Sequence, residues 1–219
     1  MAGAAFRNTH VDSRLATRHV QALDIARRAL LVGARTSTVA FLTGLDRWAL
    51  RRYFIFDAGD GPKPGKRPDS PERFVKNATL FTMIDASVVY AIYQDHRDRF
   101  HHPAEALLAA YDLYLRRRVS HELSFDRVFY IVSWTDRRWT WSGRDAVFQF
   151  RSCAHCHCRY LAVPAVVPNH ARDCPFCKLT VRYRRDPRVL RRFPHRELPA
   201  VAALLADRVT SSSRADDVG

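Results

Sequence analysis

Two cysteine pairs constrain this 219-residue chain more than anything else in it. Cys153 and Cys156 form one C-x2-C motif, Cys174 and Cys177 form another, and seventeen residues separate Cys156 from Cys174. Each pair presents two thiolates from one tight turn, and the segment between is long enough to run out, reverse and bring both pairs to one ion. Four thiolates complete a tetrahedral zinc and leave no place for water or substrate, so one structural Zn2+ per chain is expected. Two other readings compete. Cys174-Pro175-Phe176-Cys177 alone could be a redox pair, although no strand-helix pattern surrounds it, and cysteine is also a good small core residue. Cys158 and the nearby His155, His157 and His170 are expected beside the site rather than in it, because Cys156 and Cys158 stand too close in sequence to form the two ends of one knuckle.

Charge narrows the partners. Lys+Arg number 36 against 22 Asp+Glu, a formal net charge of +14, and the calculated pI is near 10.3. Arginine supplies almost all of the excess, and guanidinium binds phosphates and guanine edges bidentately, so the balance points to a polyanion and to nucleic acid in particular. A chain from an arginine-rich proteome would show the same composition. With 47% hydrophobic and 26% charged residues the chain is globular. Arg7, His10 and Asp12 interrupt any leader-like apolar stretch, and no apolar run approaches the length of a membrane span. Zinc-type cysteines instead of a disulfide framework then make a cytoplasmic location the expectation, with no membrane partner.

Helical periodicity dominates before the cysteines. Leu15, Val20, Leu23, Ala26 and Leu30 recur at helical spacing from Val11 to about Val32, with Gly33 as the stop. The segment Arg35 to Phe56 has the spacing of a helix-turn-helix: Ala40 lets two helices approach, Gly44 permits a left-handed turn, and Leu50 packs the second helix back onto the first. Asp46 is the candidate cap of that second helix, and Arg47, Arg51 and Arg52 make its outer face basic. DNA reading and a purely structural hairpin are both compatible with this pattern. Gly59 to Pro71, with four prolines and three glycines, reads as a loop or hinge. Three further helices follow from Leu80-Ile84-Val88-Ala91-Ile92, from Leu107-Ala110-Tyr111-Tyr114 behind Pro103, and from Phe125-Val128-Phe129-Val132 behind Ser124; their aromatics belong to a core or a subunit interface. Trp134, Trp139 and Trp141 lead through Val147 to Phe150 in an alternating stretch that reads as a strand feeding the first knuckle. After the second knuckle, Arg182, Arg184, Arg185, Arg188, Arg191, Arg192 and Arg196 crowd together with only Asp186 opposing them, interleaved with Tyr183 and Phe193. This run is either solvated or, as its anchoring beside a metal-fixed turn favours, a phosphate-tracking element. Leu198 to Val209 fits a last short helix, and Thr210 to Gly219 a disordered tail.

The fold class expected is therefore mainly α: a helical domain over 1–142, a four-cysteine zinc-ribbon-like region with a basic tail over 143–197, and a short helix with a disordered end over 198–219. The order of motifs resembles the flagellar transcriptional regulator family FlhC. Gly33-Ala34-Arg35 and Thr43-Gly44-Leu45-Asp46-Arg47 with Leu50 are similar to its GAR and TGLS segments, and Pro62, Lys63, Pro68, Ser70 and Phe74 to its proline-rich connection. Ala110-Tyr111-Asp112-Leu113-Tyr114-Leu115 is similar to its AYxLYL helix, Arg127 to Trp134 to its RAWxLVRF helix, and the two knuckles to its zinc ligands. His157-Cys158 and Leu161-Ala162-Val163-Pro164 depart from the paired glycines and THAH-like stretch of the family, as a divergent member would. The resemblance implies a transcriptional activator subunit, not an enzyme, that joins the small helical subunit FlhD in a heterohexamer through helices within 77–136. It implies promoter DNA and RNA polymerase as further partners, with DNA contacts expected from Arg35, Arg47, Arg51, Arg52, Arg182, Arg184, Arg185 and Arg188. Two other classes stand beside this: a zinc-ribbon RNA-binding protein, and a nucleic-acid-processing enzyme using carboxylates such as Asp85, Asp95 and Asp98 for magnesium, with His96, His101 and His102 nearby.

Overall fold

A computed structural model describes residues 9–54, 74, 77–117, 122–139, 148–162, 174–183 and 185–193. The expected loop at 59–71, Trp141, Val147, His170, Arg184, Arg196 and the last helix and tail lie outside the described residues. The described part is mainly helical, as the periodicity predicts, with eight helices and one two-stranded sheet. In chain order these are α1 (Thr9–Leu31), α2 (Thr36–Thr43), α3 (Arg47–Tyr53), α4 (Leu80–Arg97), α5 (Pro103–Arg117), α6 (Phe125–Asp136), β1 (Gln149–Ser152), β2 (Arg159–Ala162), α7 (Pro175–Tyr183) and α8 (Pro187–Arg192). The chain divides into two compact units, residues 1–181 and 182–219.

The helix ends follow from local chemistry. Thr79, Ser124 and Asp46 cap α4, α6 and α3, their side-chain oxygens accepting from the backbone N–H of Thr82, Arg127 and Ala49. Gly33 ends α1 at φ 79°; its N–H reaches the Leu30 carbonyl at 2.9 Å while Ala34 N–H reaches that of Ala29 at 3.0 Å. These two bonds make a Schellman turn, and the residues its apolar contact joins, Ala29 and Ala34, are both buried. Gly44 ends α2 at φ 72°, donating to the Ala40 carbonyl at 2.9 Å. No atom stands near either glycine where a Cβ would go, so it is the left-handed backbone, not space, that calls for glycine there.

Helices α4, α5 and α6 form the interior. Tyr90, Tyr93, Leu107, Tyr114, Phe125, Phe129 and Ile131 are almost wholly buried. The Asp85 carboxylate is buried among them and accepts from the Tyr114 hydroxyl at 2.7 Å and the Glu122 N–H at 3.2 Å. Burial, and then the hydrogen bond to Asp85, hold the Tyr114 phenol well above its ordinary pKa. The stripe expected on α1 is only half correct. Ala26 is buried, with Ile25 and Ala29, but Leu15 is 57% and Val20 66% exposed. Periodicity identifies the apolar face of a helix, yet it does not say how much of that face is covered: towards the N-terminus of α1, His19 meets the Tyr53 ring while Leu15 and Val20 stay exposed.

The α2–α3 hairpin is fastened to this interior by hydrogen bonds to one carboxylate, with apolar packing beside them. Asp126, in the first turn of α6, accepts from Arg35 N–H at 3.1 Å and from the Thr38 hydroxyl at 2.6 Å. Its other oxygen lies 3.5 Å from Arg35 Nε. Phe41 stacks on Phe129 beside this contact, and Leu50 is fully buried beneath α3. Asp126→Ala would leave two donors and a half-buried guanidinium without their acceptor, at a cost of about 2–3 kcal/mol. Urea unfolding should show this loss, smaller for Asp126→Asn, with faster amide exchange across residues 36–53. An unchanged unfolding midpoint would remove Asp126 as the fastening point.

Candidate metal centre and nucleic-acid face

The first cysteine pair sits in the turn of a β-hairpin. β1 and β2 are antiparallel, Gln149 opposite Ala162 and Ser152 opposite Arg159. Between the strands the chain closes through Cys153 N–H to the Cys158 carbonyl at 3.0 Å and His157 N–H to the Cys153 carbonyl at 2.9 Å, with His157 left-handed at φ 59°. The second strand was not anticipated from sequence. The hairpin rests on α4: Leu161 N–H donates to the Ser87 hydroxyl at 3.1 Å, Arg159 donates to the Gln94 side chain at 2.7 Å, and Phe150 meets the Tyr90 ring edge to face at 5.0 Å. Phe148 is buried against Trp134 and Phe74.

The second pair departs from the expected pair of matching turns. Cys174 precedes α7 and Cys177 lies in its first turn, behind Pro175 as the opening helical residue. A helix start points N–H groups and the positive end of the helix dipole at these sulfurs, which favours thiolates. All four Sγ atoms lie within 4.8 Å of one another. Cys153 and Cys177 sulfurs are 3.8 Å apart, Cys156 and Cys174 sulfurs 3.7 Å. Such distances exclude disulfides, whose sulfurs are about 2.05 Å apart. They match the edge of about 3.8 Å in a tetrahedron of sulfurs about 2.3 Å from a central ion. Backbone N–H groups of Cys156 and His155 pull the Cys153 thiol down to about 6, whereas burial and then hydrogen bonds to Cys156 and Cys153 push Cys177 well up. A divalent cation held there would supply the charge that lets all four thiols ionise. Cys158, His155 and His157 are exposed and stand outside the four-sulfur group.

The arginines expected at nucleic acid fall into different environments. Arg47, Arg51 and Arg52 are exposed on α3, and among the described residues no ion pair holds them. The Arg52 guanidinium lies 5.3 Å over the ring of Trp48, which is 67% exposed. Arg35 is instead engaged with Asp126, 29% of its side chain exposed. Sequence gave no warning of that pairing across 91 positions. In the second unit Arg182 and Arg185 are exposed, while Arg188 folds back onto Asp186 at 3.2 Å from both carboxylate oxygens. That pairing holds the Asp186 carboxyl below the usual carboxylate range, and the same oxygen caps α8 by accepting from Arg188 N–H. Of the carboxylates considered for magnesium, Asp85 is buried and satisfied, and Asp95 and Asp98 are exposed. Among the described residues the four cysteines are the one group of three or more side chains close enough to hold a metal, and no helix is long and apolar enough to cross a membrane.

Helical bundle, basic helical hairpin and four-cysteine cluster together define a mainly α protein with a site that could hold a metal ion. A family model described as flagellar transcriptional activator (FlhC) matches residues 12–189, and the chain belongs to that family. Comparison with curated proteins gives no match. Membership makes this a transcriptional activator of the flagellar class rather than a member of an enzyme family, and implies DNA binding within a regulatory complex.

If the four sulfurs hold an ion, purified protein should carry one metal per chain, and Cys174→Ser should lose it and loosen the β1–β2 hairpin. Elemental analysis decides: full metal content in Cys174→Ser would place the ion elsewhere.

Proposed function

We infer that this chain is the DNA-binding subunit of an activator complex, assembled with a small helical FlhD-like subunit as a heterohexamer, which binds flagellar promoters and recruits RNA polymerase. The observation that carries the reading is α3 itself, whose arginines are exposed while Leu50 behind them is buried in a hairpin fastened to the core. A guanidinium on such a helix can reach guanine O6 and N7 in the major groove. Arg182, Arg184 and Arg185 supply phosphate contacts that position the complex without reading bases, and Arg188, paired with Asp186, contributes less. The ion in the four-cysteine site is Zn2+, because four thiolates at tetrahedral edges suit that metal and leave no open position. Its role is to hold the hairpin turn to α7. The surface offered to the partner subunit lies on the helices within 77–136.

Counterion release makes affinity fall steeply with salt, and each phosphate-binding arginine removed should flatten the log–log slope by about one. Arg184→Ala and Arg185→Ala should weaken all duplexes alike. Arg51→Ala should cost promoter fragments about 1–3 kcal/mol more than random duplex, with the complex intact on gel filtration. Equal losses on both DNAs, or a collapsed complex, would remove α3 as the reading helix; preference for structured RNA over duplex DNA would replace the reading with the RNA-binding one.

A further inference from the structure

Trp48 is the largest side chain on α3 and the one that the function so far leaves without a task. It is 67% exposed. An exposed apolar residue standing alone needs no account, but Trp48 does not stand alone. At about 100° per residue, Trp48 and Arg52 are each two positions from Leu50 and so about 160° round the helix from it, one on either side. Leu50 is wholly buried, so these two side chains stand at the outermost line of the hairpin. Arg47 and Arg51 come nearer to Leu50 on one flank, about 60° and 100° from it. Anything that meets α3 head-on therefore meets Trp48 and Arg52 first. The Arg52 guanidinium lies 5.3 Å over the indole, a cation–π contact that restrains both side chains before any partner arrives.

We propose that Trp48 reads thymine in the major groove, its indole packing on the C5-methyl group while Arg52, laid against the ring, addresses the neighbouring base or phosphate. This rests on the reading of α3 as the DNA-facing helix. The occupant is duplex DNA on charge grounds: α3 carries three exposed arginines, among them the Arg52 that lies over the indole, the chain carries a net +14, and Asp46 on α3's own flank is taken up in capping Ala49 N–H at 2.6 Å. An apolar protein surface would leave those three guanidinium groups to be desolvated without partners. A thymine methyl is the one apolar group on the major-groove floor, and it distinguishes thymine from every other base there. Arginine alone can recognise guanine but has no means of preferring a methyl group. Trp48 adds a second base identity to the same helix.

The test uses the full chain in its assembled complex and duplexes selected by that complex from a random-sequence pool, resynthesised with uracil in place of thymine one position at a time. Uracil keeps every hydrogen-bonding group of thymine and lacks only the methyl. Wild type should bind about fourfold more weakly when the contacted thymine is replaced, the worth of one buried methyl-sized group. Trp48→Ala should bind the thymine duplex at least that much more weakly and no longer distinguish it from the uracil duplex, while Trp48→Phe keeps part of the ratio. Gel filtration and circular dichroism of both variants should match wild type. A wild-type complex indifferent to uracil at every position would overturn the assignment, as would a Trp48→Ala complex that keeps the wild-type ratio. Failure of Trp48→Ala to assemble would show that the indole faces a protein partner, and would overturn it equally. Arg51→Ala run in parallel separates the two levels: if it shifts preference while Trp48→Ala leaves the ratio intact, only the thymine assignment falls, and if it shifts nothing, the reading of α3 falls with it.

Discussion

The Asp126 carboxylate is the contact on which the placing of the basic hairpin depends. It is nearly buried, and it takes the first N–H of the hairpin, the Thr38 hydroxyl and the Arg35 guanidinium. A two-helix hairpin of fifteen helical residues, eight in α2 and seven in α3, is too short to hold itself in water. Tertiary contacts must fix it, and hydrophobic burial under Leu50 and Phe41 supplies attraction without direction. The directional bonds to Asp126 set which way α2 enters, and the Gly44 turn then fixes where α3 points. Arg35, read from sequence as a nucleic-acid contact, is part of this mounting.

A parallel arrangement holds the metal centre. Its hairpin is joined to α4 by one buried hydrogen bond, Leu161 N–H to Ser87, with aromatic packing of Phe148 and Phe150 beside it. A four-thiolate ribbon alone would gain nearly all of its order from the ion. Docked on α4, it shares the apolar core, so a bound ion would have less to organise and would mainly tie the hairpin turn to the start of α7. The directional bonds of the two fastenings use different helices, Asp126 on α6 and Ser87 on α4, while Phe148 beside the sheet also packs on Trp134 of α6.

What could be read from sequence was local. Cysteine spacing, the capping roles of Asp46 and Ser124, the left-handed Gly44 and the return of Leu50 each depend on residues a few positions apart, and each is found where the spacing put it. What failed was long-range or about neighbours. Leu15 and Val20 have the right period and no described cover, since a period says which face is apolar and not whether anything packs there. The second knuckle proved to be a helix start, because Cys-Pro-x-Cys fits a tight turn and a first helical turn equally well. Tyr114 and Asp85 are 29 residues apart and buried together, so a carboxylate considered for catalysis is a structural acceptor.

Counting charges along the chain and counting charges available to a polyanion are different sums. Arg35 and Arg188 add to the +14, yet each already faces a carboxylate at 3.5 Å or less. The Arg188 pair is exposed and weak, so phosphate could compete for that guanidinium. The Arg35 pair is half-buried and shares its carboxylate with two further donors, so drawing that guanidinium away would cost the hairpin one of its bonds to Asp126. Under the proposed reading the burden of base contact falls on α3, where Trp48 and Arg52 stand outermost and Asp46 is committed to its cap. In this chain, which arginine side chains are engaged within the fold is decided by where the carboxylates lie.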